Sequence, residues 1–299
     1  MQLNLEGICQ MNNSAIRSIK WIAVTGLLVA AGACFSGCRS PQSGTQPSSA
    51  SQSVLATIKQ TGRLKACYIK YPPFVIQDPR SDKLSGYFID LMAAIAKEGS
   101  FTVDYEETNW GTMITALQTG KCDVIVSGVF PTILRAKEVT FATPLLYVGL
   151  SGVTRKNDTR FKSAADLTQN GLMIAVTSGE VGDEYAKRFL PDAKVTVMQT
   201  EDISRPMLEV LTGRADIALG DSLTACRFAK AHPEAKDVFA DSPLRVYGTT
   251  FMVRRGDPEW TDFLNIAIGE MELSGVTDKL EAQYKECPSA WHSKGKAWK

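Results

Sequence analysis

Residues 110–141 have a pattern typical of a helix, then one typical of a strand, and then a polar turn. This order is typical of an α/β fold. Its apolar residues first recur at helical spacing, between Asn109 at an N-cap position and Gly120 at a left-handed C-terminal position. The β-branched run 124–126 then predicts a strand covered on both faces. Just past its carboxyl end come Ser127, Gly128, Thr132 and Arg135. Since open α/β sheets bind ligands at the carboxyl ends of their strands, we predict that this turn binds the carboxylate of a small molecule.

The chain repeats this unit over residues 207–221, where Gly213 stands in the place of Gly120 and an apolar strand again follows. The second strand ends in Asp221, an acid where the first unit has a small, neutral residue. One helix–glycine–strand unit is common in α/β proteins, but two with matched polar ends are more informative. We therefore predict two similar lobes that face one cleft, the first supplying a cation and the second an anion.

Length and composition narrow the class of protein. The 299 residues are too many for one ordinary domain and suit two, and 44% hydrophobic with 22% charged residues is typical of a globular chain. A net charge of +1 without a basic block gives no indication of nucleic-acid binding. With two histidines and no Cys/His cluster, we expect neither a metal nor another cofactor.

The N-terminal region has the pattern of an export signal. Arg17 and Lys20 precede the uncharged run 21–33, which is short for a membrane span of ~20 residues but suits the apolar core of a signal peptide. The small residues before Cys38 resemble the lipobox of bacterial lipoproteins. We predict a signal peptide over 1–38, a lipid on Cys38, and anchoring at the membrane in the periplasm or at the cell surface. Processing at Cys34, or cleavage without a lipid, are the alternatives that the sequence leaves open.

Residues 39–53 consist almost entirely of Ser, Gln, Pro, Gly and Thr. Such a segment cannot bury enough apolar surface to offset its ordering entropy, so we predict a flexible tether. A tether after a lipid site suits a protein held at a membrane surface. The fold should begin near Val54.

A series of short motifs along the chain carries a family resemblance. Each motif is weak alone, but the order and spacing are specific: 62–65, 73–74, 86–90, Trp110, Leu117, Gly120, Asp123, 131–135, 141–144, 213–216, Asp221 and 254–257. Over about residues 54–287 the chain resembles the polar amino-acid family (family 3) of bacterial extracytoplasmic solute-binding proteins. This family has the same fold as the ligand cores of ionotropic glutamate receptors.

The resemblance implies a type II periplasmic-binding-protein fold, an α/β architecture in which two crossover strands, near 144–150 and 246–251, join two lobes around a ligand cleft. The implied division places residues 54–146 and 250–299 in lobe 1, and 147–249 in lobe 2. It also implies a receptor, expected to be a monomer, that does no covalent chemistry. Such a receptor captures a polar amino acid or related zwitterion and hands it to an ABC permease in the inner membrane.

The resemblance also implies roles for residues in both lobes. Arg135 matches the arginine that forks onto the ligand α-carboxylate, and its rigid guanidinium can make two parallel charge-assisted bonds. The hydroxyl of Thr132 and the backbone N–H groups near Gly128 would share that carboxylate. Asp221 matches the acid that receives the ligand α-ammonium. Thr132 and Asp221 also suit helix caps, so the sequence leaves both roles open.

Further implied contacts involve aromatic residues and a second-lobe turn. Tyr71 and Trp110 match positions that sandwich the ligand side chain, although Trp110 also fits the apolar face of its helix. Ser178 and Gly179 open a predicted helix and would offer donors to an anion, or simply cap it. Tyr68 stands where relatives selective for basic amino acids carry an acid, which argues against a Lys, Arg or His ligand.

Two other functions fit the same fold. A periplasmic cyclohexadienyl dehydratase would need a general acid in the cleft, and Glu180 at the second-lobe turn is the candidate. A ligand sensor for a membrane kinase is the third hypothesis, and the sequence does not separate it from the transport receptor.

Besides Cys38, the mature chain would contain four cysteines: Cys67, Cys122, Cys226 and Cys287. Export makes disulfides permissible. In the implied fold Cys67 and Cys122 lie in neighbouring strands, but free buried thiols fit equally well and the sequence leaves the pairing open.

Overall fold

The computed structural model of the protein describes residues 52–293. The predicted signal peptide 1–38, its Cys38 and almost all of the predicted tether lie outside the described residues. Ser53, the last residue of the predicted tether, is already the N-cap of the first helix, and its hydroxyl accepts a hydrogen bond from the backbone N–H of Leu55.

The described part of the chain contains alternating helices and strands. The helices are α1 (Val54–Thr61), α2 (Tyr87–Glu98), α3 (Met113–Gln118), α4 (Val181–Phe189), α5 (Arg205–Leu211), α6 (Ser222–Ala231), α7 (Pro258–Leu273) and α8 (Val276–Tyr284). The strands are β1 (Arg63–Tyr68), β2 (Ile76–Gln77), β3 (Leu84–Ser85), β4 (Thr102–Glu107), β5 (Val124–Val129), β6 (Val139–Phe141), β7 (Leu146–Arg155), β8 (Met173–Thr177), β9 (Lys194–Met198), β10 (Ile217–Asp221), β11 (Ala235–Asp237), β12 (Arg245–Arg254) and β13 (Trp291–Ser293). Within residues 52–293, no helix has the length and apolar character needed to span a bilayer.

The main sheet has the strand order β4-β1-β5-β12-β7-β10-β8-β9. Two parallel triplets, β4-β1-β5 and β10-β8-β9, form the sheets of a first and a second lobe. The long antiparallel strands β7 and β12 join them, pairing over residues 146–150 and 245–249. These strands lie where the resemblance implied two crossovers, and the two-lobed type II fold is confirmed.

The internal repeat predicted from the sequence is present. Gly120 (φ 73°) and Gly213 (φ 77°) are both left-handed, and each follows a short helix, α3 or α5. The strands that come next, β5 and β10, are buried along their whole length. Asn109 caps the turn before α3 rather than the helix itself, because its side chain accepts from the backbone N–H of Thr112 (3.1 Å).

Residues 285–293, which we call the C-terminal strap, follow helix α8. Trp291 is fully buried, with its ring 5.4 Å from that of Phe74 in the first lobe. Strand β13 pairs with residues 146–148 of β7, so that the crossover becomes a three-stranded hinge ribbon of β12, β7 and β13. A disulfide between Cys287 and Cys226 of α6 attaches the strap to the second lobe. The strap is therefore a third connection between the lobes.

The second disulfide lies within the first lobe. Cys67 in β1 bonds to Cys122, two residues before β5, and the two Cα atoms are 5.6 Å apart. Both side chains are buried. The structure thus pairs all four cysteines whose pairing the sequence leaves open.

Candidate functional site

The polar turn after β5 places Arg135 at the boundary between the lobes. Its side chain is only 4% exposed. Thr132 Oγ1 accepts a hydrogen bond from the Arg135 backbone N–H (3.2 Å), just before the short 3-10 turn Arg135–Lys137, whose N-cap is Leu134. Arg135 Nη1 donates to the carbonyl oxygen of Phe130 (3.1 Å). The turn therefore fixes both the backbone and one terminal nitrogen of the arginine.

Two further hydrogen bonds connect Arg135 with the second lobe. Its Nε donates to Glu184 Oε1 of α4 (2.6 Å), and its Nη2 donates to the carbonyl oxygen of Gly179 (2.9 Å). Described residues thus use three of the five guanidinium N–H groups, leaving one on each terminal nitrogen. Two such groups are the number that a bidentate carboxylate contact requires.

Asp221 is buried at the carboxyl end of β10, as the repeat predicted. Its Oδ1 accepts from the backbone N–H groups of Leu223 (3.0 Å) and Thr224 (2.9 Å), so it caps α6. The capping alternative is therefore correct, and both of these bonds use the same oxygen atom. Burial raises the pKa of the Asp221 carboxyl despite these hydrogen bonds.

Glu180, at the N-cap of α4, is a second buried acid near Asp221. Its Oε2 accepts from the backbone N–H of Gly182 (2.8 Å). Burial, and then the negative charge of Asp221, raise the pKa of Glu180 to about 8, although Arg135 acts in the opposite direction. At neutral pH Glu180 is therefore mainly protonated and can act as a hydrogen-bond or proton donor.

The two aromatic residues predicted to sandwich the ligand lie together. The rings of Tyr71 and Trp110 meet edge to face, with centroids 5.7 Å apart, and both are buried. Trp110 Nε1 has no hydrogen-bond partner among the described residues. The Tyr71 hydroxyl faces the second lobe, and burial followed by the charge of Asp221 raises its pKa well above the usual range. An unpaired buried donor costs about 1–3 kcal/mol, so Trp110 Nε1 suits a contact with a ligand acceptor.

The turn before α4 differs in detail from the prediction. The Gly179 N–H, expected to face an anion, donates instead to Asp183 Oδ2 (3.0 Å), and the Gly179 carbonyl accepts from Arg135. Gly179 is left-handed (φ 73°), and a Cβ there would lie 2.7 Å from the carbonyl oxygen of Trp110. The hydroxyl of Ser178 accepts from Gln199 (2.8 Å). This turn therefore serves as a close contact between the lobes.

Part of the first-lobe turn serves packing. Gly128 is left-handed (φ 68°), and a Cβ there would lie 2.5 Å from the ring of Phe88, so only glycine fits. The ring of Phe130 stacks on Tyr247 of β12, with centroids 5.5 Å apart and 3° between the planes. This stack holds the turn against the hinge ribbon.

Two cavities border the contact between the lobes. One, of about 220 Å³, is lined by residues that include Trp110 and Ser178. The other, of about 160 Å³, is lined by residues that include Thr132, Glu184 and Tyr247. Among residues 52–293 no group of His, Cys, Asp and Glu side chains is arranged to hold a metal ion.

The sequence alone gives no indication that Glu184 and Tyr247 belong to this region. Glu184 reads as one more charge on the polar face of α4, and Tyr247 as one more residue of a crossover strand. No local pattern could reveal them, because their partners Arg135 and Phe130 lie far away in the sequence and meet them only in the folded protein.

Comparison with known proteins agrees with this architecture. A profile of the bacterial extracellular solute-binding proteins, family 3, matches residues 64–286. The chain is similar to the arginine-binding extracellular protein ArtP of Bacillus subtilis (strain 168), with 27% identity over 215 residues, covering 72% of this chain and 82% of that protein. It is also similar to the L-cystine-binding protein TcyA of the same strain, with 27% identity over 214 residues, covering 72% and 77% of the two chains.

A solved structure gives the same fold. The crystal structure of the ancestral amino acid-binding protein AncCDT-1, described as a precursor of cyclohexadienyl dehydratase, superposes with a TM-score of 0.70 and 33% identity. The match covers 79% of this chain and 100% of that one. From the profile match and the two-lobed sheet, we conclude that the protein belongs to the bacterial extracellular solute-binding proteins, family 3.

Proposed function

We propose that the protein is the receptor of an ABC importer that captures a polar amino acid or related zwitterion between its lobes and delivers it to a membrane permease. The observation that carries this proposal is the placement of Arg135 and Asp221. Asp221 ends the strand of one repeat unit and Arg135 comes after the strand of the other, each is buried, and the two come from opposite lobes. A zwitterion complements such a pair of charges at its two ends.

The roles of the site residues follow from their contacts. The N–H groups remaining on the Arg135 terminal nitrogens would receive the α-carboxylate, next to Thr132. The second carboxylate oxygen of Asp221 would receive the α-ammonium, while Oδ1 stays on the α6 cap. Tyr71 and Trp110 would enclose the ligand side chain, with Trp110 Nε1 as a donor. The family relatives support an amino acid, since ArtP is named for arginine and TcyA for cystine.

We further propose export and a lipid anchor at Cys38, with residues 39–53 as the tether, and a monomeric receptor. The division that we propose places residues 54–146 and 250–299 in lobe 1 and residues 147–249 in lobe 2, with the Cys287–Cys226 disulfide connecting the end of lobe 1 to lobe 2. Labelling of cells with a fatty-acid analogue tests the anchor, since Cys38→Ala should remove the label and Cys34→Ala should not.

A thermal-shift screen of the exported protein against the standard amino acids and cystine tests the binding function. A ligand that binds only the folded state raises the melting temperature by mass action. Calorimetry on each hit then gives its affinity, with Arg135→Lys as the matched variant that keeps the charge and loses the fork. If no amino acid or cystine shifts the melting temperature at millimolar concentration, the proposed solute class is wrong.

A second function is favoured by one observation, the protonated and buried Glu180 in the cleft. In a cyclohexadienyl dehydratase reaction, such an acid would protonate the departing hydroxyl of prephenate. Water then leaves, the carboxylate departs as CO2, and its bonding electrons complete the aromatic ring of phenylpyruvate. Turnover of prephenate by the wild type that disappears in Glu180→Gln would establish this function. If the wild type does not turn over prephenate, the dehydratase function is wrong and only the receptor function stays proposed.

A further inference from the structure

The contact between Arg135 and Glu184 differs from a second ion pair between the two lobes, Lys70–Glu201. Lys70 and Glu201 are 3.6 Å apart, with side chains 37% and 72% exposed. The Arg135–Glu184 pair is 2.6 Å long, and its side chains are 4% and 22% exposed. Exposed ion pairs contribute little to stability because water and salt screen them. Removing one partner of a buried pair is costly, because it leaves the other charge buried and unpaired.

The guanidinium is oriented from both lobes. In the second lobe, Glu184 accepts a hydrogen bond from Nε and the Gly179 carbonyl accepts one from Nη2. In the first lobe, the Phe130 carbonyl accepts one from Nη1. The carboxylate is the one charged member of this set. We propose that Glu184 is a positioning residue, whose carboxylate holds Nε of Arg135 when the lobes close and so presents the two terminal nitrogens to the ligand carboxylate.

Glu184 also compensates the positive charge of the buried Arg135. A closed cleft buries the Arg135 guanidinium, and an isolated buried charge is costly unless it is paired. Glu180 and Asp221 accept hydrogen bonds from backbone N–H groups, of Gly182 and of the α6 cap, whereas Glu184 is the described carboxylate that contacts the guanidinium. This pairing would allow the lobes to close before any ligand has bound.

Glu184 shares its surroundings with two further arginines. It lines the 160 Å³ cavity together with Arg188 and Arg245. Both guanidinium groups lie over the ring of Phe189, at 5.0 and 4.5 Å from its centroid, and neither has a carboxylate partner among the described residues. Among the described residues, Arg135 is thus the arginine with which the Glu184 carboxylate forms an ion pair.

The ligand-free protein provides the test. Dyes at the exposed positions Lys97 of the first lobe and Asp192 of the second report the distance between lobes by single-molecule FRET. We expect Glu184→Gln to lower the ratio of closed to open molecules by about 10-fold, the effect of losing one charge-assisted hydrogen bond. Glu209→Gln is the matched control, since its carboxylate pairs with Arg214 of the same lobe and should leave the ratio unchanged.

A double-mutant cycle separates positioning from a general loss of structure. If Glu184 acts through Arg135, the variant with both Arg135→Gln and Glu184→Gln should open no further than Arg135→Gln alone. An unchanged lobe distance in Glu184→Gln, or two effects that simply add, would overturn the proposal.

The proposal that Glu184 presents Arg135 to the ligand rests on the proposed function, and ligand affinity tests it separately. With L-arginine and L-cystine as calorimetric probes, Glu184→Gln should weaken the binding of whichever probe the wild type binds by about 10-fold. Tighter binding would overturn the proposal, because it would mean that Glu184 competes with the ligand for Arg135. If the wild type binds neither probe, the solute class is at fault, and the ligand-free distances still decide the role of Glu184.

Discussion

Replacement of Glu180 by glutamine should change how stability depends on pH. The carboxyl is 5% exposed, and burial together with the charge of Asp221 raises its pKa from the ordinary 4.5 to about 8. Glutamine has nearly the same shape and keeps an oxygen for the hydrogen bond from Gly182. The substitution therefore removes the ionisation and little else.

The sign and size follow from proton linkage. Below pH 4.5 both the folded and the unfolded chain carry this proton, so the group has no effect on the free energy of unfolding. Between pH 4.5 and about 8 the unfolded chain releases the proton while the folded protein keeps it. Stability is lost over this range at up to about 1.4 kcal/mol for each pH unit, or about 5 kcal/mol in all. Glu180→Gln should abolish this loss.

Urea denaturation at pH values from 4.5 to 8.5 measures the effect as the difference between wild type and Glu180→Gln. Asp221, whose pKa is also raised by burial, is present in both proteins, so the difference reports the ionisation of Glu180 together with its coupling to Asp221. Glu209→Gln is the control, because the hydrogen bond from Arg214 lowers the pKa of that carboxyl instead of raising it. Parallel curves for wild type and Glu180→Gln would show that Glu180 is not held protonated, and would refute the reasoning.

Three further predictions concern the cleft and the first disulfide. Arg135→Lys should weaken binding of any amino-acid ligand by at least about 10-fold, because a lysine cannot form the bidentate contact; an unchanged affinity by calorimetry would contradict this role. Asp221→Asn should keep the α6 cap and hence the urea midpoint, yet weaken amino acids far more than analogues without an ammonium group; equal losses for both ligand types would argue against the ammonium contact. Cys67→Ala with Cys122→Ala opens a link between residues 55 apart in the chain and should lower the free energy of unfolding by about 4 kcal/mol, which urea denaturation measures; a loss below about 1 kcal/mol would contradict the chain-entropy account.

Features encoded by local spacing could be predicted from the sequence. The left-handed Gly120 and Gly213 end their helices where the repeat placed them, because only glycine adopts that conformation without strain. Helix α4 (Val181–Phe189) begins just after Ser178 and Gly179, which the sequence predicted to open a helix.

Features created by contacts between distant segments could not be predicted. The Glu184–Arg135 pair joins the two lobes, and neither residue carries a local mark of the other. The buried Trp291 lies in a segment whose composition is polar, so local composition gave the wrong environment for it. The high pKa of Glu180 also depends on its burial and on a neighbour, Asp221, that is distant in the sequence.

The hinge ribbon also has a mechanical consequence. Each strand added to a ribbon adds a row of backbone hydrogen bonds that must shear when the ribbon is twisted, so three strands resist torsion more than two. Because β13 lies on the free side of β7, we expect the lobes to swing along one preferred direction with little rotation about the long axis. A truncation that removes the C-terminal strap, 285–293, would therefore lower the stiffness of the hinge and change the relative motion of the lobes.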